Sequence, residues 1–390
     1  MRIGLLIPAN LYFAPYVKIY TTILDALQVN YDLIYFDKKG LNEPAAHRFS
    51  LPMDATASQW KRLVNYIRYS CFLRKTIKRE AYDKLIVFGP QIGIFLYGFL
   101  KKHYRHRFIL DYRDLSIEQR FKKRYEALLK ISSFNVISSP GFKRCLPENF
   151  DYILSHNFDI NILTQALLEK PQKPVELMRP NQPISVLTIG GIRDYEQNAA
   201  VMMALANNPS FRVAFVGRGE ENADVKLKDL AEKNHVTNVH FQGYYEKKDE
   251  PRIVQESTFL NIFYPRKLSH DTALSNRFYN SLIFRKPMIT TANTIQGDYA
   301  AKYGVGIAID NTDQLGSMLE TYVKEFDASK YETNRNQLLQ SFKQDYDIFK
   351  KAVVDFATQE DDVIGLHRLL AAVCHGNFHT FCIKQFSETV

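Results

Sequence analysis

The sequence predicts an α/β protein made of two Rossmann-like domains, each a parallel sheet wrapped by helices. Three observations carry this expectation. The chain has 390 residues, more than the ~250–300 at which a single hydrophobic core stops growing. Short apolar runs alternate with longer amphipathic segments, the rhythm of strand and crossover helix. That rhythm occurs twice, interrupted at residues 170–183, where KPQKPVELMRPNQP holds four prolines and few apolar anchors, the composition of a linker.

Each element follows from its pattern. In the first half, strands are expected at Arg2–Ile7, Asp32–Phe36, Lys84–Phe88, Phe108–Asp111, Val136–Ser138 and Tyr152–Ser155. Helices fall between them at Pro15–Leu27, Gln59–Arg79, Ile92–His103, Ser116–Ile131 and Gly141–Leu146. The second strand series is Ser185–Ile189, Arg212–Val216, Val239–Gln242, Phe259–Phe263, Met288–Thr290 and Gly306–Ile309. Its helices are Gln197–Asn207, Asp224–Asn234, Glu250–Glu256, Asn276–Phe284, Asp298–Lys302, Asp313–Glu325 and Tyr331–Ala357. The expected organisation is a first domain over 1–169, a linker over 170–183, a second domain over 184–330, a long helix over 331–357 and a tail over 358–390.

Composition narrows the class. Hydrophobic content of 46% and charged content of 24% exclude a disordered or fibrous chain. The net charge of +9 is uneven: residues 1–182 carry 28 Lys and Arg against 16 Asp and Glu, and residues 183–390 carry 23 against 26. The first half therefore faces something anionic. Lys61–Lys84 interleaves eight basic residues with Trp60, Tyr66, Tyr69, Phe72 and Leu73. Lys101, Lys102, Arg105 and Arg107, then Arg120, Lys122, Lys123 and Arg124, extend the basic surface. Peripheral contact with an anionic leaflet is the expectation. No DNA or RNA motif accompanies the charge, so nucleic acid is not expected. No stretch approaches the ~20 apolar residues of a membrane span, and MRIGLLIPANLYF reads as a first strand rather than a signal peptide. Cys71, Cys145, Cys374 and Cys382 show no zinc-type spacing and are expected as reduced thiols of a cytoplasmic protein. The tail run CHGNFHTFC matches no standard ligand set, so no metal is expected.

Chemistry concentrates in the second half. Gly190-Gly191-Ile192-Arg193-Asp194-Tyr195 follows a strand and precedes a helix; glycines there let backbone amides approach a phosphate, and Arg193 adds a charged donor. Gly217-Arg218-Gly219 and Gly243-Tyr244-Tyr245 follow the next two strands. All three turns are expected at one carboxyl edge, where open α/β sheets bind ligands. Neither half has GxGxxG with an acidic residue at the dinucleotide distance, which argues against an NAD enzyme.

Ser275-Asn276-Arg277-Phe278-Tyr279-Asn280 followed by Arg285-Lys286-Pro287-Met288-Ile289 resembles the donor-site helix and strand of GT-B glycosyltransferases, where Pro-Asn-Lys-x-x-Glu precedes Gly-Lys-Pro-Val-Ile. Gly190–Tyr195 is similar to the Gly-x-Ile-Arg-x-Tyr turn of capsule and exopolysaccharide transferases, and Phe241-Gln242-Gly243-Tyr244 to the loop framing the base. The resemblance spans residues 2–357. It implies a GT-B fold with two sheets facing across a cleft. It implies a nucleotide-sugar donor (UDP-, GDP- or dTDP-linked) held by Gly191, Arg193, Gly217, Gly243, Arg277 and Asn280, with the arginines on the diphosphate and no metal or further cofactor. Asn280 stands where the family's ribose-gripping glutamate is found, a departure that keeps open a non-catalytic GT-B subunit binding a partner transferase or acceptor.

Ile109-Leu110-Asp111-Tyr112-Arg113-Asp114-Leu115 resembles the family strand ending in His-Asp-Leu. Arg113 and Asp114 are the expected catalytic residues, Asp114 as the general base an inverting transferase needs; a retaining one needs the leaving diphosphate stabilised by Arg193 and Arg277 without a dedicated base, and an Asp111–Arg113–Asp114 ion-pair cluster is the plain alternative. Asn10, His156, Asn157 and Ser269-His270-Asp271 are further polar candidates. The expected reaction moves a sugar onto a glycan acceptor, itself lipid-linked, at the inner face of the cell membrane during bacterial surface polysaccharide synthesis.

Overall fold

The computed structural model describes residues 1–53, 58–169, 177 and 181–359. The linker expectation falls largely, and the tail expectation with Cys374 and Cys382 almost wholly, outside them. Two compact units form. Among the described residues the first comprises those of Met1–Val136, Phe150–Ile153 and 348–359; the second comprises those of Ile137–Asn149 and Leu154–Asp347.

The first sheet contains β1 (Arg2–Ile7), β2 (Asn30–Asp37), β3 (His47–Ser50), β4 (Lys84–Phe88), β5 (Phe108–Tyr112), β6 (Phe134–Ile137) and β7 (Tyr152–Leu154), in the order β3-β2-β1-β4-β5-β6-β7. β1 runs parallel to β2 and β4, and β4 to β5. β4 (KLIVF) and β5 (FILDY) are buried at every position, which is why they read as continuous runs. β3 was not expected. It is a four-residue edge strand, HRFS, alternating half-buried and exposed, and carries no apolar run. Helices α1 (Val17–Ala26), α2 (Gln59–Glu80), α3 (Pro90–His103) and α4 (Lys122–Leu129) make the crossovers. Ser58 caps α2 by accepting from the Lys61 amide, satisfying one of the amides left free at a helix start.

Two expected helices are shorter than predicted. Gly141–Leu146 is only a 3-10 turn at Pro140–Arg144. Ser116–Ile131 begins as a separate 3-10 turn, Ile117–Gln119. There the buried Glu118 carboxylate accepts from the Tyr112 hydroxyl and the Ser116 amide, fixing a corner before α4.

The second unit holds α5 (Ile160–Leu168), a helix the sequence reading missed, capped by Asp159. Its sheet holds β8 (Ile184–Ile192), β9 (Phe211–Gly219), β10 (Val239–Gln242), β11 (Phe259–Ile262), β12 (Met288–Thr291) and β13 (Gly306–Ile309), in the order β10-β9-β8-β11-β12-β13. These strands also pair in parallel. The helices are α6 (Tyr195–Ala204), α7 (Ala223–Lys233), α8 (Glu250–Gln255), α9 (Leu268–Thr272), α10 (Asn276–Ile283), α11 (Ile295–Tyr303), α12 (Leu315–Lys324) and α13 (Ala328–Thr358).

α10 is anchored by its apolar side. Phe278, Tyr279 and Leu282 are buried with Leu338, Leu339 and Phe342 of α13. Each such side chain stabilises by about 1.5–3 kcal/mol on full burial, so the opposite, polar side of α10 is held in place. In the first unit, Lys84 is not part of the basic surface. It is 2% exposed, and its ammonium donates to the carbonyls of Phe356 and Gln359 at the end of α13, where a cation complements the helix dipole.

Candidate functional site

The two glycine-rich segments expected as turns are paired strand. β8 and β9 run on past their apolar stretches, with Gly190 opposite Gly217, Gly191 opposite Arg218 and Ile192 opposite Gly219. The reason is steric. Gly190 and Gly217 have φ of +94° and +134°, and a Cβ at Gly217 would sit 1.9 Å from the Gly190 carbonyl oxygen. Only glycine lets the two backbones meet here. The chain turns later, at Asp194, with φ of 52°. Asn198 holds that turn by donating to the carbonyls of Arg193 and Asp194, and it joins a buried network with Thr188 and Asn261.

Arg277 lies beneath this corner. The first turn of α10, capped by Ser275, sends its guanidinium to the Ile189 carbonyl at 2.6 Å and the Gly191 carbonyl at 2.7 Å. Longer contacts of 3.4 Å reach the Asn261 carbonyl and the Tyr264 hydroxyl. The side chain is buried (8% exposed), and every one of these partners is a neutral oxygen. A buried charge held only by dipoles is costly until an opposite charge arrives, and a guanidinium fork fits a phosphate.

The other second-unit candidates lie along the same carboxyl edge. Arg193 is exposed and pairs with Glu220 at 2.7 Å. A pair this exposed contributes little to stability, so an anion can displace Glu220 cheaply. Gly191 sits beside the Arg193 side chain. Gly243 has open space where a Cβ would be, so packing inside the protein does not require glycine there. Its neighbour Tyr244 is 69% exposed and lies beneath the Arg218 guanidinium, 5.4 Å from it. Lys267 approaches Asp194 at 3.5 Å, and His270 at 3.9 Å; Asp271 is held by Arg266.

Asn280, one turn after Arg277, donates to Glu250 Oε1 at 2.8 Å. Glu250 is 5% exposed and also accepts from the Tyr245 hydroxyl at 2.7 Å and from the Lys247 ammonium. Tyr245 in turn reaches to within 3.9 Å of where a Gly190 side chain would begin. A carboxylate thus stands beside Asn280, contributed by α8. Sequence reasoning missed it, because thirty residues separate the two and no local pattern marks a lone glutamate at a helix start.

In the first unit, Arg113 and Asp111 form a buried, two-pronged ion pair. Asp111 also accepts from the Tyr20 hydroxyl at 2.6 Å, and Tyr16 lies under the guanidinium. Burial opposes the Arg113 charge, but the adjacent Asp111 carboxylate outweighs it and raises the pKa further above its ordinary value. Arg113 therefore stays charged beside Asp111, as the ion-pair alternative expects. Asp114 is exposed at the end of β5. Asn10 is buried, and its amide is engaged on both sides. It donates to Asp37 and Glu43 and accepts from the amides of Lys38 and Lys39. It ties two loops together rather than presenting an amide to a ligand.

His156 is buried between the Tyr279 hydroxyl at 2.9 Å and Asp345 at 3.0 Å, and Asn157 meets Asn276 at 3.1 Å. One metal-ligand-type group occurs among the described residues, Asp32, His47 and Glu80. Arg2 bridges both its carboxylates and Arg79 holds Glu80, so two guanidinium groups already balance it. Two cavities of the second unit lie at the opposite, amino-terminal sheet edge, one lined by Ser185, Arg212 and Thr258 and the other by Ile184, Ser210 and Lys324, away from the glycines. Among the described residues no helix is long and apolar enough to cross a membrane, and Cys71 and Cys145 are free thiols.

No protein-family model matches the sequence, and no curated protein matches it either. Solved structures share its fold at low identity. A glycosyltransferase from Rickettsia africae superimposes with a TM-score of 0.65 at 11% identity, over 92% of this chain and 99% of that one. The lipopolysaccharide outer core galactosyltransferase WaaB gives 0.60 at 13%, over 90% and 100%. Anabaena HepE, solved in complex with UDP and glucose, gives 0.58 at 12%, over 95% and 100%. The two parallel-sheet, Rossmann-like units are those of the GT-B fold.

Proposed function

We propose that this chain is a glycosyltransferase that moves a sugar from a nucleoside-diphosphate sugar to a glycan acceptor. One observation carries the reading: among the described residues Arg277 is a buried guanidinium with no acidic partner, placed under the glycine corner of β8 and β9. A departing diphosphate supplies the missing charge, and stabilising that leaving group accelerates the chemical step. Arg193 adds a second, displaceable guanidinium, so metal-independent transfer is proposed. Tyr244 and Arg218 offer a platform for the base, and Asn280 with Glu250 offers acceptors to the ribose hydroxyls of a UDP-, GDP- or dTDP-linked donor. Asp114 is assigned the acceptor's proton. Gly191, Gly217 and Gly243 give the backbone its close approach.

The acceptor is proposed to be a lipid-linked glycan of bacterial surface polysaccharide synthesis, met at the inner face of the cell membrane. The positive excess of the first half and the likeness to WaaB support this reading. Sugar-transfer assays with UDP-, GDP- and dTDP-sugars test it. Transfer by the unaltered chain and its loss in Arg277→Ala, with the fold retained, are expected; near-normal turnover in the variant contradicts the assignment. The replacement of the family glutamate by Asn280 favours a second reading, a non-catalytic GT-B subunit. That protein would bind none of the three nucleotides.

A further inference from the structure

The basic run that the sequence shows between residues 61 and 84 is resolved by the fold into one oriented face. α2 carries seven Lys and Arg residues against a single Glu, and all seven are exposed. Its inward side is Asn65, Tyr69, Leu73, Thr76 and Ile77, all buried. Its outward side is not uniformly polar. Trp60, Val64 and Ile67, at helical spacings of four and three, are 76%, 48% and 45% exposed, forming an apolar stripe over the first two turns. Lys61 and Arg68 flank the stripe, and Lys75 and Lys78 continue the outward line. These four have no acid within ion-pair distance among the described residues.

A second segment joins this end of α2. The Arg120 guanidinium donates to the Gln59 side chain at 3.4 Å. Phe121, 43% exposed, and the exposed Lys122, Lys123 and Arg124 follow Arg120 directly in the chain. The third basic cluster does not join them. Lys101 and Lys102 end α3, at the amino-terminal edge of the sheet, and Arg107 is turned back onto the Asp83 and His103 carbonyls.

We propose that the outward stripe of α2, with Phe121 and the surrounding lysines and arginines, docks on an anionic lipid surface. An exposed tryptophan with aliphatic neighbours one and two turns on is uncommon on a chain that stays in water. A rim of unpaired cations around it matches the negative charge of phospholipid headgroups, and each cation near such a surface adds about 1 kcal/mol, roughly a fivefold gain in binding. The apolar side chains enter the boundary between headgroup and acyl chain while the stems of the lysines and arginines reach back to the phosphates. This deepens the membrane part of the proposed function, yet its test needs neither donor nor transfer.

Trp60 is the only tryptophan in the chain, so its fluorescence reports this face alone. The experiment titrates the full chain with vesicles of phosphatidylcholine alone or mixed with phosphatidylglycerol, following Trp60 emission and co-sedimentation. A blue shift with the mixed vesicles only, weakening as salt rises, is expected. Ile67→Glu and the pair Lys61→Glu/Arg68→Glu are each expected to lower vesicle binding at least tenfold, with circular dichroism unchanged. Lys101→Glu/Lys102→Glu, at the other end of the unit, is expected to change it less than twofold. Emission that ignores anionic vesicles overturns the proposal. So does a blue shift that appears with protein concentration alone, which makes the stripe a contact between copies, or one produced equally by RNA. Nucleotide binding measured on the same preparation separates this result from the transferase reading, since either can fail alone.

Discussion

Both units bury an arginine at or near the carboxyl edge of a parallel sheet, and the two solve the cost of burial differently. Arg113 is matched by the Asp111 carboxylate, two-pronged, with Tyr20 completing the shell. Among the described residues Arg277 is matched only by carbonyl and hydroxyl oxygens. The first arrangement balances its charge within the protein; the second sets only dipoles against it, which is the ground for proposing that an anion binds there. On the proposed reading the same residue type serves stability in one unit and recognition in the other, and the partner set, not the burial, tells them apart.

The comparison breaks most visibly at Asp111. Asp111→Asn leaves Arg113 buried without its counter-charge and is expected to cost about 3–5 kcal/mol in urea unfolding, with nucleotide affinity unchanged. Arg277→Met orphans the Ile189 and Gly191 carbonyls but also removes an unpaired charge. A smaller loss, about 1–3 kcal/mol, is expected in the same measurement, and a loss matching that of Asp111→Asn would erase the distinction. Glu250→Gln sharpens the recognition side. Nucleoside diphosphate affinity is expected to fall on the order of tenfold, while inorganic pyrophosphate, which has no ribose, binds as before.

Asn10→Ala tests the loop knot of the first unit through pH. Burial pushes the Asp37 carboxyl up, but hydrogen bonds from Asn10 and from the amides of Gly40, Leu41 and Asn42 outweigh it and hold the pKa below the ordinary value. Stability from a lowered carboxylate is present above the unfolded pKa and is lost as pH falls through the folded one. The variant is expected to be about 1 kcal/mol less stable near pH 7, with the gap closing below about pH 4 in thermal melts. The smallest effect belongs to Arg193→Ala, whose exposed pair with Glu220 is expected to change stability by less than about 0.5 kcal/mol, with diphosphate affinity down only a few-fold.

Legibility in the sequence followed burial. β1, β4 and β13 end where their apolar runs end, and the fold class followed from the alternation of strands with helices. β3 and α9 are short elements of mixed polarity, stabilised by neighbours distant in sequence. The glycines of β8 and β9 were visible, but their pairing was not, because an apolar pattern cannot show that two strand tails close on each other at Gly190 and Gly217. Arg277 was legible as a basic residue at a helix start. That its partners are all neutral, and that Glu250 stands beside Asn280, are facts of tertiary packing.

The central claim is that Arg277 holds its charge in reserve for a diphosphate. Calorimetric titration of the full chain with UDP, GDP and dTDP, with pyrophosphate as the common fragment, tests it most directly. At least one nucleotide is expected to bind the unaltered chain, and Arg277→Ala is expected to lose both that nucleotide and pyrophosphate by about a hundredfold, the scale of a charged hydrogen-bond pair. Equal affinities in the two proteins, or no binding by the unaltered chain, would contradict it.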